Sequence, residues 1–191
     1  MTTRAKSLSV LVGAILALGT ALLLAAAIAG AASKPLQLGN GNVAVLSRAT
    51  AAGDALPAAV TAMPAASWIS NASASRLVLN APDYRAWVAP GTGGFLCLAV
   101  QVTAEGGSGI TCAPRRTLQT GPIYFSSINA NGGVDVVGLV DDAVSSVSAA
   151  GNAARLAENA FVLRNMAGTS LTLGTSAGSR TVDLGSLRAD R

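Results

Sequence analysis

An uncharged stretch from Ser7 to Ser33 is the strongest constraint on what this chain can form. Between Leu8 and Ala32 it holds Leu, Val, Ile, Ala and Gly, with Ser9 and Thr20 as the only polar side chains. As a helix it is about 37 Å long, enough to cross roughly 30 Å of hydrocarbon with some tilt. A lone segment in lipid must be helical, because only a helix satisfies its own backbone there. Arg4, Lys6 and the α-amino group precede the stretch, and only Lys34 follows closely. That bias predicts a cytoplasmic N-terminus at residues 1–6, a transmembrane helix at 7–33 and the bulk of the chain outside.

A cleaved signal peptide is the competing reading. Ala29-Gly30-Ala31 is an acceptable small-x-small exit, and Ala25 to Ala32 is nearly all Ala and Gly, which insert weakly. Against cleavage, apolar centres of signal peptides run about 7–15 residues, shorter than this one. No G-x-x-x-G pair marks a helix-dimer face.

The remainder has room for one ordinary domain. Its organisation is expected to be an Ala-rich linker with a short helix at 34–66, a β domain at 67–185 and a C-terminal tail at 186–191. The 51% hydrophobic content overstates the core, since the apolar stretch and alanine, about a fifth of the chain, inflate it. Aromatics are sparse, so Trp68, Trp87, Tyr84, Tyr124, Phe95, Phe125 and Phe161 are expected inside as the large core members.

The net charge of +4 does not indicate a nucleic-acid partner. After Ser33 there are eleven Arg or Lys against nine Asp or Glu, a net of +2, and Arg115-Arg116 is the only basic cluster. Histidine is absent, which removes Ser-His-Asp and Cys-His catalysis and His-based metal sites.

Cys97 and Cys112 are the only cysteines. On the external side of a membrane they are expected to pair, and closing a fifteen-residue loop is worth about 3 kcal/mol. A hairpin folded about their midpoint turns near Ala104-Glu105 and sets them opposite each other. The Gly-rich run Gly106-Gly107-Ser108-Gly109 lies later, which predicts a bulge or a long loop.

From Trp68 onward, short apolar runs alternate with turn residues about every ten positions, the pattern of an all-β sandwich or partly open barrel. Strands are expected at 76–79, 84–88, 94–103, 122–128, 134–139, 144–149, 155–164, 170–174 and 179–184. Asn131-Gly132 predicts a type I′ hairpin, and a second hairpin is expected at Thr175 to Gly178.

Each candidate site also has a structural reading. Asp141-Asp142 reads as a turn, because neighbours in a strand would face opposite ways. Asn129 to Asp135 echoes a calcium loop but lacks the later glutamate, and reads better as a hairpin. Trp68 and Trp87 read as core, not as a ligand platform. Pro90 to Gly94 is Gly-rich but is followed by a strand, not by a helix and lysine. Asn71-Ala72-Ser73 fits a glycosylation acceptor.

The segment Gly138-Leu139-Val140-Asp141-Asp142-Ala143-Val144-Ser145-Ser146-Val147, followed by Asn159-Ala160-Phe161, resembles a pattern found in small exported proteins of high-GC Gram-positive bacteria. Asp54-Ala55-Leu56-Pro57 after Leu46-Ser47-Arg48, and Cys97-Leu98 with a later cysteine, are similar to it as well. Asp141 stands where that pattern has proline and Ala143 where it has glycine, which predicts a looser turn. The resemblance implies an exported β domain and carries no activity.

The sequence thus predicts a bitopic, membrane-anchored extracytoplasmic β domain with a non-enzymatic binding or structural role at the cell envelope. Its partners are the lipid bilayer and an envelope component, not nucleic acid. The runner-up is the same domain secreted after cleavage near Ala31, and the third reading is a hydrolase using carboxylates among Asp135, Asp141, Asp142 and Glu158. No residue is assigned to catalysis, a cofactor or a metal; the one assigned pair is the disulfide Cys97–Cys112.

Overall fold

A computed structural model describes residues 36–185 other than 105. The expected N-terminus at 1–6, the transmembrane helix or signal peptide at 7–33 and the tail at 186–191 lie outside the described residues. Among the described residues, no helix is long and apolar enough to cross a membrane.

The domain is all-β, built from three four-stranded antiparallel sheets. In the first, β1 (Arg76–Asn80), β2 (Tyr84–Pro90), β3 (Phe95–Val102) and β4 (Gly107–Pro114) follow one another as a meander. The second runs in the order β5 (Ile123–Ile128), β6 (Val134–Leu139), β10 (Ala160–Leu163) and β9 (Arg155–Ala157). The third runs β12 (Gly178–Asp183), β11 (Ser170–Thr175), β7 (Val144–Ala149) and β8 (Asn152–Ala153).

Where the sequence predicts a sandwich or partly open barrel, the sheets form three layers, because the second sheet is apolar on both faces. Val137, Leu139, Ala160 and Val162 join Val88, Leu98 and Val100 of the first sheet in one core. Val136, Phe161 and Leu163 point the other way, into a core shared with Val147, Leu171 and Leu173 of the third sheet. Alternate residues of a strand face opposite sides, so β10 and the stretch of β6 from Val136 to Leu139 must be apolar throughout to serve two cores. β11 and β12, at the outside, keep the alternating pattern of one wet face.

The Ala-rich segment expected to be a linker contributes to these cores. Leu38 lies in the second core, and Val43 and Val45 lie in the first. Helix α1 (Ala58–Thr61) sends Val60 onto the outer face of the first sheet, against Trp87 and Ala99. Its small side chains make a thin cover that lies close to the strands.

Several local expectations are corrected. The run at 155–164 is not one strand: β9 and β10 form a tight hairpin through Glu158, whose φ is 49°. Asn131-Gly132 is not a type I′ turn. Residues 129–133 form a longer loop in which the Asn129 side chain accepts the amides of Asn131 and Gly133, and only Gly132 has a positive φ, 77°. Ala150 and Gly151, which join β7 to β8, have two consecutive positive φ values, 47° and 83°. The hairpin at Thr175 to Gly178 is as expected.

β4 is missing from the predicted strands because its glycines read as a turn. The β3–β4 register runs unbroken, with no bulge. Gly109 pairs with Val100 in this ladder, and the ring of Phe125 lies where a Cβ at 109 would be, so the strand takes glycine there.

Gly138 plays the same part in β6, where an added Cβ would lie 2.3 Å from Cε1 and Cζ of the fully buried Phe161. Gly138→Ala is therefore expected to cost about 1–3 kcal/mol through overpacking, read as a lowered thermal midpoint. Adding Phe161→Leu to the alanine variant should recover part of the loss; no recovery would refute a steric cause.

Candidate functional site

The site-like region lies at one end of the first core, where the β1–β2 turn faces the end of β10. Two depressions meet there, of about 290 and 440 Å³, and Arg164 lines both. Its guanidinium holds the Asp83 carboxylate at 2.7 Å, each side chain about half exposed.

The floor of the smaller depression is a hydrogen-bonded cluster around buried Asp135. Its carboxylate accepts from the Tyr84 hydroxyl at 2.8 Å, from Asn129 Nδ2 at 2.7 Å and from the Asn165 amide at 2.9 Å. Asn129 Nδ2 also donates to Asn165 Oδ1, and the Tyr84 and Ser127 hydroxyls are 3.1 Å apart. Three neutral donors satisfy the buried Asp135 side chain, so the cluster pins the β5–β6 loop to β2 and to the end of β10. Of the side-chain oxygens that suggested a calcium loop, those of Asn129 and Asp135 are engaged here. Among the described residues no group of three or more His, Cys, Asp or Glu is placed to hold a metal ion.

The other carboxylates are held elsewhere. Asp141 Oδ2 accepts the Asn42 amide and Oδ1 the Ala143 amide, both at 2.8 Å. Asp142 Oδ1 accepts the Ala44 amide at 2.8 Å and Asn159 Nδ2 at 2.6 Å. These two residues are therefore a clamp on the N-terminal segment. The turn is also not the looser one predicted: the Val144 amide donates to the Asp141 carbonyl at 3.0 Å, and the Asp141 side chain does the closing that proline would otherwise pre-set. Glu158 lies 3.8 Å from Arg48. No two of Asp135, Asp141, Asp142 and Glu158 share a hydrogen-bond partner through their carboxylates.

No family model matches the chain, and no similar curated protein or solved structure is found.

Cys97 and Cys112 are directly paired residues of β3 and β4, with Cα atoms 4.1 Å apart and sulfurs 2.09 Å apart, at disulfide distance. Cys97 is fully buried, and the carbonyl of Trp68 lies 3.9 Å from its sulfur. Trp87 is core as expected, its Nε1 donating to the Gly53 carbonyl at 3.0 Å. Trp68 is not. It ends the short 3-10 helix Pro64–Trp68, is 53% exposed, and leans on Phe95 with ring centroids 6.0 Å apart. The outer face of the first sheet is already covered by Val60 and Leu56, so Trp68 shields only the rim beside Cys112. At Pro90 to Gly94 a 3-10 turn leads directly into β3, and Asn71 caps the 3-10 helix Ala72–Ala74.

Arg48 and Asp54 stand in the sequence as part of the resemblance, with no role attached to them. Asp54 is 1% exposed and accepts Arg48 Nη1 at 2.7 Å, Nη2 at 2.8 Å, the Ala51 amide at 2.6 Å and the Leu77 amide at 2.8 Å. The Arg48 hydrogen bonds, helped by the two backbone amides and opposed by burial, hold the Asp54 carboxyl well below the usual carboxylate range; the same bonds raise Arg48. The available signal was isolation: between residues 36 and 75 these are the only two charged side chains.

Proposed function

We propose that this chain is an exported β domain held at the membrane by residues 7–33, with a non-enzymatic binding or structural role at the cell envelope. The observation that carries this reading is the cysteine pair at disulfide distance, registered directly across two strands. Disulfides persist in oxidising compartments and are rare in the cytosol. The uncharged stretch that precedes the domain supplies the means of export. The absence of histidine, together with carboxylates spent on internal hydrogen bonds, favours binding or structure over hydrolysis. The resemblance at Gly138 to Val147 points to the same compartment. Release by cleavage behind Ala31 is the second reading, favoured by Ala29-Gly30-Ala31.

Cell fractionation with thiol alkylation tests both. Recovery in the membrane pellet with the original N-terminus, and thiols that react only after reduction, is the expected result. A mature start at Ala32 in the medium would replace the anchor with secretion. Freely alkylated thiols in the cytosolic fraction would refute export altogether.

A further inference from the structure

Of the two depressions that meet at Arg164, the larger has an unbalanced charge. Arg155 and Arg164 line it together with Asn152, over an apolar floor that includes Ala81, Val162 and Leu163. Among the described residues no carboxylate lines it. Arg155 pairs across the ladder with Val162, and Arg164 follows directly on Leu163, the last residue of β10, so the two arginines line the depression from neighbouring strand ends. Arg155 has no acidic partner within 4.0 Å among the described residues. Arg164 has Asp83, but that pair is half exposed, and exposed ion pairs contribute little. Its guanidinium can therefore be drawn to a competing anion.

We propose that this depression binds an organic carboxylate of about monosaccharide size. The carboxylate sits between the Arg155 and Arg164 guanidinium groups, Asn152 meets polar substituents, and the body of the ligand rests on the apolar floor. Planar guanidinium groups match a carboxylate in bidentate fashion. The volume of about 440 Å³ falls among small-ligand pockets, which pair an apolar lining with a few polar groups. Asp83 acts as an internal competitor that holds Arg164 aside until the ligand arrives. This inference rests on the binding reading above and adds a ligand class. It does not depend on whether the chain is anchored or released, so a failed titration and a failed fractionation are separate results.

Titrating the full chain in detergent micelles with D-glucuronate, followed by ligand-observed NMR, tests it. D-glucose serves as the neutral probe and inorganic phosphate as the bodiless anion. Glucuronate should bind saturably, glucose should not, and phosphate should bind more weakly. Arg155→Gln and Arg164→Gln should each weaken glucuronate binding about tenfold, the loss of one charge-assisted bidentate contact, while Arg116→Gln leaves it unchanged. Asp83→Asn should tighten it by roughly threefold, the release of a weak exposed pair. Thermal melts check that each variant is folded; if an arginine variant is not, the Asp83→Asn result decides. Absence of saturable glucuronate binding, binding indifferent to the arginine and Asp83 variants, or phosphate binding as tightly as glucuronate would each overturn the proposal.

Discussion

Replacing Cys97 and Cys112 together with alanine is expected to destabilise the domain by about 3 kcal/mol, the chain-entropy value for a fifteen-residue loop. For a domain of this size that is a fall of roughly 6–12 °C in the thermal midpoint. The loss should be concentrated at β4, a sheet edge with Gly107 and Gly109 among its residues and little intrinsic preference for extended structure. Amide hydrogen exchange should show β4 losing protection before β2 and β3, which are buried along most of their length. Reducing the unmodified protein should reproduce the same shift. An unchanged midpoint, or loss of protection spread evenly over the first sheet, would contradict this assignment of the bridge as the staple of the β3–β4 edge.

Asp54→Asn should be at least as damaging, at about 3–5 kcal/mol, because it leaves Arg48 facing an amide inside a partly buried site. The carboxylate gathers Arg48, the Ala51 amide and the Leu77 amide, and so fastens the 48–54 segment to β1. Arg76 Nε donates to the Arg48 carbonyl and Trp87 Nε1 to the Gly53 carbonyl, so the same segment also covers Trp87. A red shift of Trp87 emission in a Trp68→Phe background is therefore the local readout. Arg48→Gln should cost less, since its side chain is one-third exposed and water can take over part of its solvation. The pH dependence has a definite sign. The folded pKa of Asp54 is depressed, so its stabilisation is complete above the unfolded carboxylate value of about 4 and is lost as pH falls below that toward the folded value. The gap in stability between the unmodified protein and Asp54→Asn should shrink below about pH 4. A gap that stayed constant down to pH 2 would argue against the ion pair as its source.

Strand positions were legible where one face is wet or where an apolar run is bounded by turn residues, as in β1, β2, β5, β6, β7 and β11. They were illegible where glycine does packing work. Gly107 and Gly109 look like a turn in one dimension, and only their pairing with β3 and the ring of Phe125 beside Gly109 show glycine serving a strand. The loop at Asn131-Gly132 was misread because Asn129, two positions earlier, supplies a side-chain acceptor that closes a larger loop. Trp68 was misplaced for a different reason. Bulk and apolarity predict burial, but α1 and Leu56 had already covered that face. The Asp83–Arg164 pair and the two depressions had no signature in the chain, since the two residues lie far apart in sequence and meet only where the sheets do.

By itself, the sequence determined the class of the domain, the opposition of Cys97 and Cys112, the absence of histidine chemistry and the apolar stretch at 7–33. All of these follow from composition, spacing and period, which are properties of a line. Only the tertiary structure decided that there are three layers, that the Ala-rich segment belongs to the cores, and that Arg155 and Arg164 share a depression with no acid lining it among the described residues. Those facts depend on which faces meet after folding, and β6 and β10 reveal their two-sided burial only when a sheet lies on each side of them.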